Sequence, residues 1–174
     1  MNTQLMIRAM KPDPVKFGFV SGFKDSYFRN KPLDALWTST YLGPELGSDW
    51  VQWCLSNEYS GCPKKMWWLL EVGKNAKIYT LGGEESWINF CELFAKPPLR
   101  PYDYKKYIDW ALVYRAGYHG VHLTEEGNRV LHSWYDPDHI LSDLNCWDVE
   151  STCWLRWAFV SVKQESPVAV PVYA

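Results

Sequence analysis

The sequence predicts an α+β protein that forms one domain. At 174 residues the chain is long enough to bury a substantial core. Alternating, strand-like segments are mixed with segments of helical periodicity, and neither repeats nor low-complexity stretches interrupt them. We expect residues 15–162 to form this domain, residues 1–14 an N-terminal extension and residues 163–174 a C-terminal tail.

The first elements are predicted from alternation and from turn residues. The segment "VKFGFVSGF", residues 15–23, alternates Phe17 and Phe19 on one side, which predicts a half-buried strand. After a polar connection, "ALWTSTYL", residues 35–42, predicts a second strand that ends before Gly43 and Pro44.

The next element is a short helix with a clear start. Ser48 is a natural N-cap for "DWVQWCLSN", and Asp49 suits the positive end of the helix dipole. Trp50, Trp53 and Cys54 follow at i, i+3 and i+4, so this helix presents them on one face.

The middle of the chain predicts a hairpin followed by a helix. "MWWLLEV" and "KIYTL" read as strands joined by the short turn "GKNA". Glu84 and Glu85 then open "ESWINFCELFAK", a helix with an apolar stripe that we expect to be core. The stripe consists of Trp87, Phe90, Cys91 and Phe94.

The last part of the chain predicts one more helix and several strands. "PPLRPY" is a connector, and residues 103–117 form a helix that Gly117 ends. The remaining expectations are a strand at 120–124, a turn at 125–128, a strand at 129–136 and a long strand at 152–162.

Aromatic residues are the main compositional signal. The chain has 11 Trp and 11 Tyr, although its hydrophobic fraction of 47% and charged fraction of 22% are ordinary. Such residues either fill a core or form flat surfaces for planar ligands such as bases and nicotinamide. With a net charge of −2, the chain lacks the excess of positive charge that is typical of a protein that binds bulk DNA or RNA.

Cysteine and histidine usage gives no metal signature. The five cysteines form an odd set without a CxxC pair or zinc-site spacing, which favours a reduced, cytoplasmic location. His119 and His122 lie three apart on a predicted strand, so they point to opposite faces and do not share a metal. No apolar run approaches a membrane span of about 20 residues, so we expect no membrane association.

An acidic segment near the end of the chain is a candidate site. "CWDVESTCW", residues 146–154, places Asp148, Glu150 and Ser151 between indoles, where a carboxylate is costly unless it is hydrogen-bonded. An ordinary turn in which Asp148 caps its own backbone is the alternative. Together with the indoles and hydroxyls of residues 37–53, these acids suggest one shared pocket.

Such a pocket suits cleavage of the bond between nicotinamide and ribose in NAD. The departing ring is flat and rests on an aromatic side chain, and hydroxyls hold the ribose or the carboxamide. A carboxylate stabilises the positive charge that develops as the glycosidic bond breaks.

The order of elements resembles the ADP-ribosyltransferase fold. "ALWTSTYL…DWVQWC" is similar to a Gly-Leu-[Phe/Trp]-x-[Ser/Ala] segment of small phage and bacterial members, and "YRAGYHGVHLTEEG" resembles a stretch of a small phage member that acts against CRISPR. The resemblance covers residues 15–162 by order more than by identity. It implies a split antiparallel β-sheet core with short flanking helices that cradles NAD.

The resemblance also implies roles for particular residues. Asp148 would be the catalytic acid, with Glu150 and Glu125 as competitors. The first predicted strand, "FGFVSGF", has neither the His nor the Arg that usually grips NAD in this family. The residues expected to contact NAD are Phe19, Trp37, Thr38, Ser39, Trp50, Trp53 and Ser151.

The function expected from the sequence is NAD-dependent ADP-ribosyl transfer to a host protein or nucleic acid, as part of a phage or bacterial conflict. The alternative is a non-catalytic protein that uses its aromatic pocket or surface to sequester a nucleotide or to block a host defence or replication protein.

Overall fold

The computed structural model describes residues 3–8, 10–15, 17, 32, 35–59, 66–96, 107–133 and 147–166. The helices are α1 (Asp49–Ser56), α2 (Glu84–Phe94), α3 (Trp110–Arg115) and α4 (Glu125–Ser133). The strands are β1 (Thr3–Ile7), β2 (Leu36–Thr40), β3 (Trp67–Val72), β4 (Ile78–Leu81), β5 (Ala95–Lys96), β6 (Tyr107–Ile108), β7 (Gly120–Leu123), β8 (Ser151–Trp154) and β9 (Phe159–Glu165).

Seven strands form one mixed sheet in the order β4-β7-β8-β2-β1-β3-β9, and β5 and β6 form a separate pair. The α+β class is therefore confirmed. The prediction of a wholly antiparallel sheet is wrong, because β4 pairs parallel with β7. The four helices connect or flank the strands, and α2 packs against β4.

The sheet is divided between β1 and β2. These strands pair only at Gln4 with Thr40 and Leu5 with Ser39, whereas β1 pairs with β3 along its whole length. The remaining part of β2, residues 36–38, pairs instead with β8. The sheet therefore consists of two halves, β4-β7-β8-β2 and β1-β3-β9, joined by a ladder of two residue pairs.

β1 begins the sheet earlier in the chain than expected. It lies within residues 1–14, which the sequence suggested to be an extension, yet it is a central strand. Phe17 lies in an irregular segment, and the rest of the strand predicted at 15–23, with Phe19, falls outside the described residues.

The predicted hairpin of residues 66–81 is wrong. β3 has β1 on one side and β9 on the other, so neither edge is left for β4. Trp67 on one face of β3 and Trp68 and Leu70 on the other are all buried, which is typical of an interior strand rather than of one arm of an isolated hairpin.

The predicted turn at 125–128 and the predicted strand as far as residue 133 are also wrong, because residues 125–133 form helix α4, and residues 134–136 lie outside the described residues. The Thr124 hydroxyl accepts a hydrogen bond from the Gly127 backbone N–H at 3.0 Å, which caps the first turn. Glu126 and Arg129 pair across one turn of the helix, and Leu131 is buried.

Two further predictions need their limits changed. The predicted helix at 103–117 contains only α3, because β6 precedes it and residues 103–106 lie outside the described residues, as does the connector at 97–102. Gly117, with φ of +83°, follows this helix as expected. The long strand predicted at 152–162 is two strands, β8 and β9, in opposite halves of the sheet.

Most of the tryptophans belong to the core. The stripe on α2 is buried as predicted, and Trp87 donates from its indole nitrogen to the Gly127 carbonyl at 3.0 Å. A second cluster lies on the other side of the sheet around Trp68 and Trp154. The buried indoles in the described residues are Trp67, Trp68, Trp87, Trp110, Trp147 and Trp154.

Replacing Gly127 with Ala should destabilise the fold. A Cβ at this position would overlap the backbone carbonyl of Leu81, so α4 would have to move away from β4. We expect Gly127→Ala to lower the free energy of unfolding by about 1–3 kcal/mol in urea titrations. Gly83→Ala is the control, because a Cβ there meets no atom within 4 Å and its φ of 168° is open to any residue. Equal stability of the two variants would contradict the packing argument.

Candidate functional site

A cavity of about 680 Å³ lies where the two halves of the sheet separate. One wall comes from residues 5–8, at the end of β1, and the opposite wall from residues 35–39, which include most of β2. Residues 147–149 and Ser151, which lead into β8, close a third side. The structure therefore brings together the two segments that the sequence expected to share a pocket.

Three indoles line this cavity: Trp37 on β2, Trp50 on α1 and Trp147 before β8. Trp37 and Trp147 meet edge to face, with ring centroids 4.8 Å apart. The Trp147 indole N–H is buried and has no hydrogen-bond partner among the described residues. Trp147 is almost fully buried, so the partly exposed rings of Trp37 and Trp50 give the cavity its flat, apolar surfaces suited to a planar ligand.

Trp53 lies outside the cavity lining. It stacks on Trp50 with ring centroids 5.0 Å apart and an interplanar angle of 10°, so the two share a helix face as predicted. Tyr59, which is 54% exposed, contacts both rings. The three rings form an aromatic surface on α1 that continues outward from the cavity.

The Thr38 hydroxyl makes hydrogen bonds within the protein. It donates to the Gln4 side-chain oxygen at 2.7 Å and accepts from the Trp154 indole N–H at 2.8 Å. Thr38 lines the cavity, but its hydroxyl tethers β2 to β1 and β8. Gln4 in turn donates to the Thr40 hydroxyl at 3.3 Å.

Glu150 is held by the other two hydroxyl residues of β2. The Ser39 hydroxyl donates to Glu150 Oε2 at 2.7 Å, and the Thr40 backbone N–H donates to the same oxygen at 2.9 Å. The Thr40 hydroxyl donates to Oε1 at 2.8 Å. Glu150 is only 7% exposed, and these donors offset the cost of removing a carboxylate from water.

Asp148 and Glu125 have different surroundings from Glu150. Asp148 is exposed and lines the cavity, and its backbone carbonyl accepts from the Asn128 side chain at 3.2 Å. Glu125 is exposed in the first turn of α4 and is not part of the lining. Of the three candidate acids, Glu150 has a fixed carboxylate and Asp148 borders the cavity directly.

Asp49 belongs to the same acidic neighbourhood, which the sequence did not indicate. Burial raises the pKa of the Asp49 carboxyl, and the negative charges of Glu150 and Glu125 raise it further. As predicted, Asp49 occupies the first turn of α1, where the Ser48 hydroxyl accepts from the Val51 N–H. The sequence explains its place in the helix but not its proximity to the other acids.

His122 lies beside Glu150 in the sheet. Its Nδ1 is 2.9 Å from the Thr152 hydroxyl and 3.3 Å from Glu150 Oε1. Burial lowers the pKa of the imidazole from 6.5 to about 4, so the ring is neutral at pH 7 and its contact with Glu150 is not an ion pair. His119 instead accepts from the Lys77 backbone N–H at 3.0 Å.

Arg8 and Lys11 supply positive charge to the cavity, and sequence reasoning missed both. Arg8 directly follows β1, where its backbone N–H donates to the Met66 carbonyl and its own carbonyl accepts from the Trp68 indole. The sequence predicts that residues 1–14 form an extension. The short apolar run from Leu5 to Ile7 is the signal that could have revealed a buried strand.

Among the predicted NAD contacts, Trp37, Thr38, Ser39, Trp50 and Ser151 line the cavity. Trp53 does not, and Phe19 lies outside the described residues. The site thus combines planar apolar surfaces, two cationic side chains and carboxylates at its border.

No protein family, curated protein or solved structure matches the chain. The helices of the described segments are all too short or too polar to cross a lipid bilayer. Those segments also contain no group of three or more His, Cys, Asp or Glu residues arranged to hold a metal ion.

Removing the Ser39 hydroxyl should destabilise the protein. Ser39→Ala leaves the buried Glu150 carboxylate without one of its donors, so we expect the free energy of unfolding to fall by about 1–3 kcal/mol. Ser161→Ala is the matched control, because its hydroxyl donates to Glu71 at an exposed position and should cost less than about 0.5 kcal/mol. Urea titrations that show equal losses for both variants would contradict the role of Ser39.

Proposed function

We propose that the protein binds NAD in the cavity between the sheet halves and transfers ADP-ribose to a host protein or nucleic acid. The observation that supports this most is the carboxylate of Glu150, which Ser39 and Thr40 hold beside the cavity wall. Ser39 on one side and Val149 and Ser151 on the other belong to that wall.

The cavity suits the chemical groups of NAD. The partly exposed rings of Trp37 and Trp50 offer surfaces for nicotinamide or adenine, and the volume of about 680 Å³ is ordinary for small-molecule and cofactor sites. Arg8 and Lys11 would pair with the diphosphate, because cationic side chains form charge-assisted hydrogen bonds with phosphate oxygens.

Arg8 supplies the basic residue that is missing from the first predicted strand, where ADP-ribosyltransferases usually have a His or Arg that grips NAD. The segment "FGFVSGF" lacks a basic residue, but the first strand of the sheet is β1, and Arg8 follows it directly. Its backbone bonds to Met66 and Trp68 fix the base of the side chain at the cavity. A basic residue is therefore available at the end of the first strand.

The chemistry assigned to the site is substitution at the ribose carbon that carries nicotinamide. NAD supplies the ADP-ribosyl group and a leaving group that departs with the bonding electron pair, while the acceptor atom forms the new bond and gives up a proton. A fixed carboxylate stabilises the positive charge that develops on the ribose, without having to reorient during the reaction.

Glu150 is the best candidate for that carboxylate. Its orientation is set by two side chains and a backbone N–H, and such preorganisation favours electrostatic stabilisation. Asp148 is more exposed, and we assign it contact with the ribose or the acceptor. Glu125 is the least suited of the three, since neither it nor its chain neighbours line the cavity, whereas Glu150 lies between the lining residues Val149 and Ser151.

A second candidate function is nucleotide sequestration without catalysis. The stacked indoles of Trp50 and Trp53 with Tyr59 favour it, because this aromatic surface continues beyond the cavity and suits binding more than bond cleavage. Incubation with labelled NAD and a cell lysate separates the two functions. Label on an acceptor or free nicotinamide supports the transferase, and tight NAD binding with neither product supports sequestration.

Glu150→Gln should abolish most of the activity while preserving NAD binding. Loss of the negative charge removes stabilisation of the transition state, and we expect nicotinamide release to slow by about 100-fold or more. Asp148→Asn should have a smaller effect on the rate. Glu126→Gln is the control, because this exposed residue pairs only with Arg129 among the described residues.

The measurements are nicotinamide release, NAD binding by tryptophan fluorescence, and circular dichroism to show that each variant is folded. A folded Glu150→Gln protein with wild-type activity would exclude Glu150 as the acid. Loss of activity only in Asp148→Asn would assign the role to Asp148.

Arg8→Gln should weaken NAD binding by roughly 10-fold or more, because it removes a charge-assisted bond to phosphate. The loss should shrink at high salt, since screening weakens the wild-type interaction. Arg129→Gln is the control, being an exposed arginine on α4 outside the cavity lining. Fluorescence titrations at two ionic strengths provide the test. Equal NAD affinity of Arg8→Gln and the wild-type protein would contradict the phosphate role.

A further inference from the structure

His122 belongs to a row of polar residues that crosses the sheet. It pairs with Thr80 on β4 and with Thr152 on β8, and Thr152 pairs with Thr38 on β2. Side chains of directly opposed residues share a face of a sheet, so all four lie on the same side. Glu150 precedes Thr152 by two positions and reaches that side as well.

His122 approaches Glu150 from a different direction than the other donors. Ser39 and Thr40 both come from β2 and bond to the carboxylate from that strand. His122 comes from β7, on the far side of β8, with Nδ1 3.3 Å from Glu150 Oε1. The carboxylate therefore has polar groups on two opposite sides.

The contact with the Thr152 hydroxyl fits either tautomer of the imidazole, so the contact with Glu150 is the observation that bears on which nitrogen carries the proton. An ionised carboxylate has only acceptor sites, so a bare Nδ1 lone pair at 3.3 Å would face another lone pair. A proton on Nδ1 makes the contact with Glu150 electrostatically attractive, while the hydrogen bond of Nδ1 runs to the Thr152 hydroxyl, 2.9 Å away. The geometry therefore favours the neutral tautomer with hydrogen on Nδ1.

The charges around His122 are consistent with this assignment. Among the described acidic groups, Glu150 contacts His122, and the charges of Glu150 and Glu125 both raise the pKa of Asp49. Burial keeps the imidazole neutral, so His122 orients Glu150 without cancelling its negative charge. A charged partner would weaken the electrostatic role of that carboxylate.

We infer that His122 is a positioning residue that fixes the carboxylate of Glu150 from the β7 side, through Nδ1–H, for the reaction proposed above. The catalytic purpose of this positioning rests on the proposed function. A purely structural residue at this buried position would be better served by an apolar side chain, because a buried imidazole must be hydrogen-bonded to be tolerated.

The test compares His122→Asn with His122→Leu. The amide nitrogen of Asn can occupy the position of Nδ1 and donate to Glu150, whereas Leu fills the space without a donor. We expect His122→Leu to lower kcat for nicotinamide release by about 10- to 100-fold with little change in KM, since a misoriented group costs rate rather than binding. His122→Asn should recover most of the wild-type kcat. His119→Leu is the control, because His119 has no contact with Glu150 among the described residues.

Nitrogen NMR of the wild-type protein gives a second measurement that does not depend on activity. A proton on Nδ1 at pH 7 supports the inference. A proton on Nε2 instead, or equal kcat in folded His122→Leu and wild-type protein, overturns it. If the wild-type protein releases no nicotinamide in any lysate, the proposed function fails, and the NMR results alone decide whether His122 positions Glu150.

Discussion

The hydrogen bonds between β2 and Glu150 lie where the two halves of the sheet are joined, and they also hold the carboxylate on which the candidate chemistry depends. Ser39 and Thr40 are the residues of β2 that pair with β1, and they are also the residues that bind the Glu150 carboxylate. The two halves of the sheet are therefore joined at the same place where a buried negative charge is satisfied. Beyond that place the strands diverge, and the cavity occupies the space between them.

This arrangement gives each of the three consecutive hydroxyl residues of β2, "TST", a hydrogen-bonding role. Thr38 and Thr40 point to one side of the strand and Ser39 to the other, yet Ser39 and Thr40 both reach Glu150, which lies at the end of the strand pairing with β8. Thr38 bonds to Gln4 and Trp154, while Ser39 and Thr40 bond to Glu150. An apolar strand of the same length would pair equally well but would leave the carboxylate with only the backbone N–H of residue 40 as a donor from β2.

The sequence predicts the elements whose information is local. The strand at β2, the Ser48 cap and the buried stripe of α2 follow from alternation, capping chemistry and helical spacing, and all three are observed. The failures concern information that is not local. Nothing in residues 66–81 reveals that β1 and β9 occupy both edges of β3, and α4 depends on a glycine packed against the Leu81 backbone.

The candidate site was predictable in part for the same reason. The clustering of indoles and hydroxyls near Trp37 and of acids near Glu150 is visible in the sequence, and their convergence was expected. The roles of Arg8, Asp49 and His122 were not visible, because each is defined by a neighbour on another strand or helix. Single-residue patterns do not encode such pairings.

The distance along the chain between Ser39 and Glu150 determines when the site can exist. These residues are separated by 111 positions, so their hydrogen bond closes a very long loop. A nascent chain that has emerged from the ribosome only as far as α4 contains the indoles of β2 and α1 but lacks the acid. The hydrogen bond between Ser39 and Glu150 therefore forms late, only after β8 has been synthesised and has paired with β2.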